Sequence, residues 1–309
     1  MPLFLSEQDV DSLLTPEDAL DAVEGSFRRS AEGQVENVPR RRLRLEGGAL
    51  AIMSAVDLGL GVAGVKTYAA GRGGASFVVV LFDASSDELM AVIEADRLGQ
   101  FRTGAATGVA AKYLAKEGAS SLGIFGAGLQ AEMQLRAVRA ALPGIKEVAV
   151  YSRTPERREE FAKRLGAEAV ESGQEAASKD VVVTITTSRD PVLRGDWLQA
   201  GTLVCGAGAN RSQARELDNA VLQRAAFVCC DSIEDARIES GDLIEPVAQG
   251  VLDWLEVHEL SEVVSGQVQG RQSDDDIVVF KSNGIAAWDV AIGALAVERA
   301  RERGVGREL

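Results

Sequence analysis

Histidine is nearly missing from this chain of 309 residues. The one copy, His258, lies in the acidic stretch Trp254 to Glu262, where a solvated surface residue is expected. Mechanisms built on histidine clusters, zinc triads or a Ser/His/Asp relay are excluded. Cysteine is scarce as well. Cys205, Cys229 and Cys230 show no metal-ligand spacing, and adjacent strand residues face opposite ways, so all three are expected to be small buried apolar side chains. No metal site is anticipated. No apolar run reaches membrane-spanning length, and the start, MPLFLSEQDV, has no basic segment ahead of a long apolar one. A cytoplasmic chain with no membrane partner is expected. Positive charge is in deficit, with 33 Lys and Arg against 47 Asp and Glu and a formal net charge of -14. That balance argues against a nucleic-acid partner, although a small anion can still bind a local cationic cluster.

What is present points to two domains, because 309 residues exceed one typical core. The most informative stretch is Leu122 to Ala131, LGIFGAGLQA. Leu122, Ile124 and Phe125 have the apolar density of a strand buried on both faces, and Gly126, Gly128 and Ala131 follow at GxGxxA spacing. Gly126 permits a tight turn, Gly128 lets a pyrophosphate approach the backbone, and Ala131 lets the new helix pack on its strand. With Ala127, Leu129 and Gln130 these residues form a candidate phosphate site, where the first N–H groups of a helix attract anions. The same pattern also occurs where a strand and a helix merely pack.

Context supports the dinucleotide reading. About 20 residues beyond the motif, the strand Glu147 to Tyr151 is followed by Ser152, Arg153 and Thr154. A ribose 2′-hydroxyl wants an acidic acceptor there, whereas a 2′-phosphate wants a guanidinium and hydroxyl donors, so NADP(H) is preferred over NAD(H). Thr154 and Pro155 also read as a helix cap and first residue, which is compatible. Further strands at 181–186, 203–205 and 227–231 alternate with helical segments, the signature of a doubly wound parallel sheet. Thr186 and Thr187 follow one strand and GAGANR, 206–211, follows another, with side chains small enough to admit a flat nicotinamide ring.

Ahead of that region, Ser6 and Thr15 are expected to cap helices. In VPRRRLRL, 38–45, Arg41 shares a strand face with Leu43 and Leu45, so it is the arginine expected to point inward. A guanidinium on an apolar face needs an anion, and a substrate carboxylate would serve. Strands at 50–54, 62–68, 77–82 and 89–95 suggest an antiparallel or mixed sheet. Lys66 either snorkels to the surface or is held among apolar groups near arginines; in the second case its ammonium form is disfavoured and it can donate or accept a proton. The stretch Gly59 to Thr67 is no P-loop, since Val65 intervenes before Lys66 and no helix follows. Asp96 to Ala115 reads as a helix rich in small residues that links the domains. Arg102 and Thr103 are placed at a helix start, where anions are favoured, with an interdomain salt bridge as the other reading of Arg102.

Together PRRRL, GVKTY, RTGAATGVAAKYLA, GAGLQA, GAGANR with ELD, and VFKSNGIAAWDVA resemble the ornithine cyclodeaminase and mu-crystallin family over nearly the whole chain. The resemblance implies an α/β fold: a Rossmann domain, 116–285, and a smaller α+β substrate-binding and dimerisation domain, 1–115 with 286–309, in a homodimer. It also implies that Arg41, Lys66 and Arg102 hold the substrate's carboxylate and that Ser282 lies beside the nicotinamide. Cyclising members carry an aspartate where this chain has Asn210. An amide cannot take a proton or steady a cationic intermediate, so ornithine cyclisation is disfavoured here. Asp218 is read as a helix-start residue, not a replacement.

The expected activity is NADPH-dependent reduction of a small imine bearing a carboxylate, such as pyrroline-2-carboxylate or piperideine-2-carboxylate, to an L-amino acid. Lys66, Arg102 and Asn210 are the expected catalytic residues, with Lys66 or a water it orders supplying the proton. An L-alanine dehydrogenase is the alternative, and a non-catalytic NADPH-binding protein is the reading outside enzymology.

Overall fold

The computed structural model describes residues 1–71 and 73–309. In chain order it begins with β1 (Leu3–Leu5), α1 (Glu7–Leu13), α2 (Pro16–Ala31), β2 (Val35–Leu45), β3 (Gly48–Asp57), β4 (Val62–Gly71), β5 (Gly74–Asp83), β6 (Leu89–Glu94) and α3 (Asp96–Leu114). There follow β7 (Ser121–Phe125), α4 (Leu129–Ala141), β8 (Glu147–Tyr151), α5 (Pro155–Leu165), β9 (Glu168–Ala169), α6 (Gly173–Ala177), β10 (Val181–Thr184) and β11 (Leu203–Gly206). The chain continues through α7 (Asn219–Arg224), β12 (Ala225–Cys230), α8 (Ile233–Glu239), α9 (Gly241–Ala248), β13 (Val257–Glu259), α10 (Leu260–Val264), β14 (Ile277–Lys281), α11 (Ala286–Arg303) and β15 (Arg307–Glu308). Two compact units result, Met1–Arg102 with Ile285–Leu309, and Thr103–Gly284. The first division falls inside α3, ahead of the expected residue 115.

The first unit is built on a seven-stranded sheet of order β15-β1-β6-β5-β4-β3-β2, antiparallel except where β1 runs parallel to β6. Ser6 and Thr15 each close a capping box, which fixes where α1 and α2 begin. Along β3 the alternation is strict: Ala51, Met53 and Ala55 are buried while Ile52 is exposed. The buried face packs with α11, and Phe27 of α2 meets Trp288 of α11 edge to face at 5.3 Å.

The second unit holds an eight-stranded sheet, β13-β12-β14-β11-β10-β7-β8-β9, parallel throughout. Strands β7, β10, β11 and β14 are buried end to end, which is why their interiors read as apolar runs, with Ser121, Thr184 and Lys281 confined to strand ends. Strand order reverses about β7, with β8 on one side and β10 on the other, and such a switch point opens a crevice at the strands' carboxyl ends. The small residues of α3 have a local purpose here. A Cβ on Gly104 would press on the Met133 backbone of α4, so glycine sets how closely these two helices approach.

All three cysteines are buried, and burial pushes their thiols well above the ordinary value. His258 is half-exposed, stacked on Phe227 at 5.0 Å and 3.4 Å from Glu262. Among the described residues no helix is long and apolar enough to cross a membrane.

Candidate active site

In the second unit, β7 ends at Phe125 and the chain turns through Gly126, whose φ of 115° lies in the left-handed region. A side chain there would also run into the Ile185 carbonyl. Gly126 N–H donates to Tyr151 O at 2.9 Å, and Phe125 O accepts from Ile185 N–H at 2.9 Å, so the turn is tied to both neighbouring strands. Gly128 is the N-cap of α4, with no heavy atom within 4 Å of where its Cβ would lie. The open space sits at the N-terminus of a thirteen-residue helix and suits an approaching anion. Leu129 is 77 % exposed on the first turn, and Gln130 Oε1 is buried there without a hydrogen-bond partner.

Gly126, Ala127, Gly128, Ser152, Arg153, Thr154, Thr186 and Thr187 line one cavity of about 210 Å³ together with Arg157. The sequence reading brought together eight of these nine; Arg157, one helical turn beyond Arg153, was missed. Neither Arg153 nor Arg157 has an ion-pair partner among the described residues. Thr154 occupies the N-cap of α5 but its side chain makes no capping bond, which leaves the hydroxyl available.

A second cavity of about 600 Å³ adjoins Thr186 and Thr187 and is lined by Gly208, Ala209, Asn210 and Arg211. Behind it lies a buried polar network that sequence reasoning did not find. Glu216 accepts from Thr184 Oγ1 at 3.1 Å, Thr186 N–H at 2.6 Å, Gly208 N–H at 2.7 Å and Ala209 N–H at 3.0 Å. Lys281 Nζ donates to the carbonyls of Gly206, Ala209 and Ser282 at 3.1, 2.6 and 3.0 Å and sits 3.3 Å from Asp242 Oδ2. Asp231 accepts from Ser282 Oγ at 3.2 Å and from the N–H groups of Asn283 and Gly284 at 2.7 and 2.6 Å. Burial raises the carboxyls of Glu216 and Asp231 above the ordinary range. These groups fix the loops that carry Asn210 and Ser282. Ser282 itself is 2 % exposed.

The first unit holds a cationic cluster. Lys66 on β4 is 2 % exposed, which settles its two readings in favour of burial. Its Nζ donates to Asp289 Oδ1 of α11 at 2.6 Å, and Arg102 Nε of α3 lies 3.5 Å from the same oxygen. The Phe77 ring faces Nζ at 5.7 Å. Arg40 of β2 is 4 % exposed, with Nε 3.2 Å from Met53 Sδ, and its charge acts on Lys66. Burial lowers the Lys66 pKa to about 8; Asp289 opposes that, and Arg102 and Arg40 reinforce it. Lys66 and Arg102 thus share one carboxylate while the Arg40 charge acts on the same ammonium, a buried cationic setting suited to an anionic ligand.

The family profile for the ornithine cyclodeaminase/mu-crystallin family matches residues 1–304. The chain belongs to that family. Alanine dehydrogenase of Archaeoglobus fulgidus is 35 % identical over 319 residues, spanning 99 % of this chain and 98 % of the relative. The structure of Thermococcus litoralis Δ1-pyrroline-2-carboxylate reductase, in complex with NADH and L-proline, is 33 % identical with a TM-score of 0.94, covering 99 % of this chain and 100 % of its own. An archaeal alanine dehydrogenase dimer with bound NAD also superimposes with a TM-score of 0.94 at 33 % identity, over 100 % of this chain and 98 % of its own.

Three residues in this family member, Arg41, Arg102 and Thr103, are placed differently from the sequence reading. Arg41 is exposed, and Arg40 takes the inward place. Arg41 does share a face with Leu43 and Leu45, as alternation requires, but that face is the outer one: Leu43 is 55 % and Leu45 42 % exposed. Register shifts between Val38 and Arg41, so a bulge at Pro39 and Arg40 turns both side chains to the packed face. Arg102 and Thr103 do not stand at a helix start. They lie two turns inside α3, whose first N–H groups, at Asp96 and Arg97, already donate to the Glu7 carboxylate at 2.7 Å each. Thr103 is buried, and its carbonyl accepts from Gln134 Nε2 at 3.2 Å. Asp218 is the N-cap of α7, as read.

Proposed function

We propose that this protein is an NADPH-dependent reductase of a small imine bearing a carboxylate, of the pyrroline-2-carboxylate or piperideine-2-carboxylate kind, giving an L-amino acid. The observation that carries the reading is the pair of Lys66 and Arg102 on the buried Asp289, with the buried Arg40 acting on the same lysine. In a low-dielectric setting such a cluster binds a carboxylate far better than exposed cations do. The guanidinium of Arg102 and the Lys66 ammonium orient the acid group, and the reacting carbon is thereby held in a fixed pose. Lys66, or a water it orders, delivers a proton to the substrate nitrogen; a pKa of about 8 keeps it largely protonated at neutral pH and still able to give the proton up.

The dinucleotide belongs to the second unit, where the glycine turn and the N-terminus of α4 receive the phosphates. When bound, the nicotinamide supplies a hydride. Ser152, Thr154 and the unpaired guanidiniums of Arg153 and Arg157 favour NADPH over NADH, since no acidic side chain ends β8. Asn210 lines the adjoining cavity as a hydrogen-bonding group and cannot relay a proton, which supports a reductase over a cyclising lyase. A homodimer through the first unit is supported by Val38, Leu43 and Ile52, large apolar side chains 45, 55 and 39 % exposed on the outer face of β2 and β3.

The alanine dehydrogenase reading has its own support in the relative that matches 99 % of the chain. Supplying cyclic imino acids, or pyruvate with ammonia, with NADPH and with NADH while following nicotinamide absorbance separates the two. Fastest turnover with a cyclic imine and NADPH is expected. Fastest turnover with pyruvate and ammonia would replace the proposal by its alternative, and no turnover with either would remove both.

A further inference from the structure

Asp289 is the residue of the cationic cluster that the functional reading leaves without a task. It sits on the first turn of α11, is 1 % exposed, and turns a single oxygen, Oδ1, toward both Lys66 and Arg102, at 2.6 and 3.5 Å. Its other oxygen, Oδ2, is buried with no hydrogen-bond partner. A carboxylate kept for stability alone satisfies both oxygens, because an unpaired buried acceptor is unfavourable and a buried ion pair is commonly matched by apolar residues of the same volume. An incompletely satisfied acid beside a buried lysine is the arrangement of a group that sets its neighbour's charge state.

We propose that Asp289 is a positioning residue: its carboxylate is the counter-charge that keeps Lys66 an ammonium ion at neutral pH and holds that ammonium at one point beside Arg102. Among the described residues the charged groups acting most on Lys66 come from three elements, Asp289 of α11, Arg102 of α3 and Arg40 of β2, and Asp289 is the one anion of these three. Burial and the two guanidiniums all favour the neutral amine, so the protonated lysine depends on this aspartate. The role rests on the reductase reading, in which Lys66 supplies the proton; the balance is one proton from the Lys66 ammonium to the substrate nitrogen, with no proton passing through Asp289. Solvent then returns the proton to Lys66.

The test compares wild type with Asp289→Asn and Asp289→Glu by two readouts. Lysine 13Cε resonances, with Lys66 assigned through Lys66→Met, report the titration of that amine whether or not any reaction occurs. Wild-type Lys66 is expected to titrate near the pKa of about 8. In Asp289→Asn the midpoint falls by about 1 to 3 pH units, with partial return in Asp289→Glu. In parallel, kcat/KM for imine reduction, which declines as Lys66 loses its proton, declines at correspondingly lower pH in Asp289→Asn. The loss is about 10- to 1000-fold above the wild-type midpoint and is recovered on acidification. A Lys66 resonance titrating alike in wild type and Asp289→Asn overturns the proposal. A shifted resonance in an enzyme whose wild type reduces no imine upholds the counter-charge and removes the reductase reading instead.

Discussion

Replacing Lys281 by Met tests whether a buried network, and not backbone geometry alone, holds the loop that carries Asn210. Lys281 is 0 % exposed, donates to three carbonyls and lies 3.3 Å from Asp242, which is also 0 % exposed. Methionine approximates the volume of the lysine stem, so packing is nearly kept and the loss is electrostatic. Removing one partner of a buried pair costs about 3–5 kcal/mol. Set against a domain stability of about 5–15 kcal/mol this is a large fraction. At about 2–4 °C per kcal/mol for a unit of this size, the melting temperature falls by about 6–20 °C.

The deficit also carries a pH signature with a definite sign. Burial already raises the Glu216 carboxyl, Lys281 opposes that rise, and Asp242 adds to it. Without the ammonium the folded-state value climbs further above the unfolded one. Stability is then fully present below the unfolded value and lost as pH rises through the folded value. The gap between variant and wild type therefore narrows from about pH 8 to about pH 5. Thermal melts followed by circular dichroism at both pH values read this directly. A variant melting within about 2 °C of wild type at each pH would refute the reasoning.

Three other outcomes are expected. Arg153→Ala and Arg157→Ala should each weaken NADPH binding by about 10- to 150-fold, the worth of one charged hydrogen bond, and leave NADH binding unchanged; equal losses in fluorescence titrations with the two cofactors would separate these arginines from a 2′-phosphate. Gly126→Ala forces a side chain onto a φ of 115° and into the Ile185 carbonyl, so a loss of at least about 1–3 kcal/mol in urea unfolding and failure to bind either dinucleotide are expected; unchanged binding would mean the turn can relax. The Arg299 guanidinium holds the Asp18 carboxyl down at a pKa of about 2, against 3.8 when free. That contribution is present above about pH 4 and lost as pH falls through about 2, so Asp18→Asn should flatten the acid limb of the stability profile, measured by acid titration.

Much of the second unit was legible in order along the chain. Its buried parallel strands are mostly apolar, with Ser121, Thr184 and Lys281 only at strand ends, and the glycine turn, Ser152 to Thr154, and Thr186 with Thr187 each follow a strand end. Parallel strands place their carboxyl ends together, so residues distant in sequence share one cavity. Arg157 escaped because it belongs to the helix after the strand, where arginine reads as an ordinary solvated residue. Asp231, Glu216, Asp242 and Lys281 escaped for another reason. Nothing local distinguishes a charged residue that packing will bury from one that stays in water.

The first unit divides the same way. Local chemistry determined the capping boxes at Ser6 and Thr15, the run of strands from residue 35 to 94, and the alternation that separates Arg41 from Arg40. Alternation says which residues share a face but not which face is covered. The outer surface of β2 is itself apolar, and the bulge at Pro39 and Arg40 reverses the expected sense, so only the packed sheet assigned Arg40 inward. The approach of Asp289 to Lys66, 223 residues apart in the chain, is likewise a product of tertiary packing. Sequence fixes the periodicity of each strand and helix because backbone geometry is local; the company a charged group keeps is decided by long-range contacts, and here those contacts set the chemistry of Lys66.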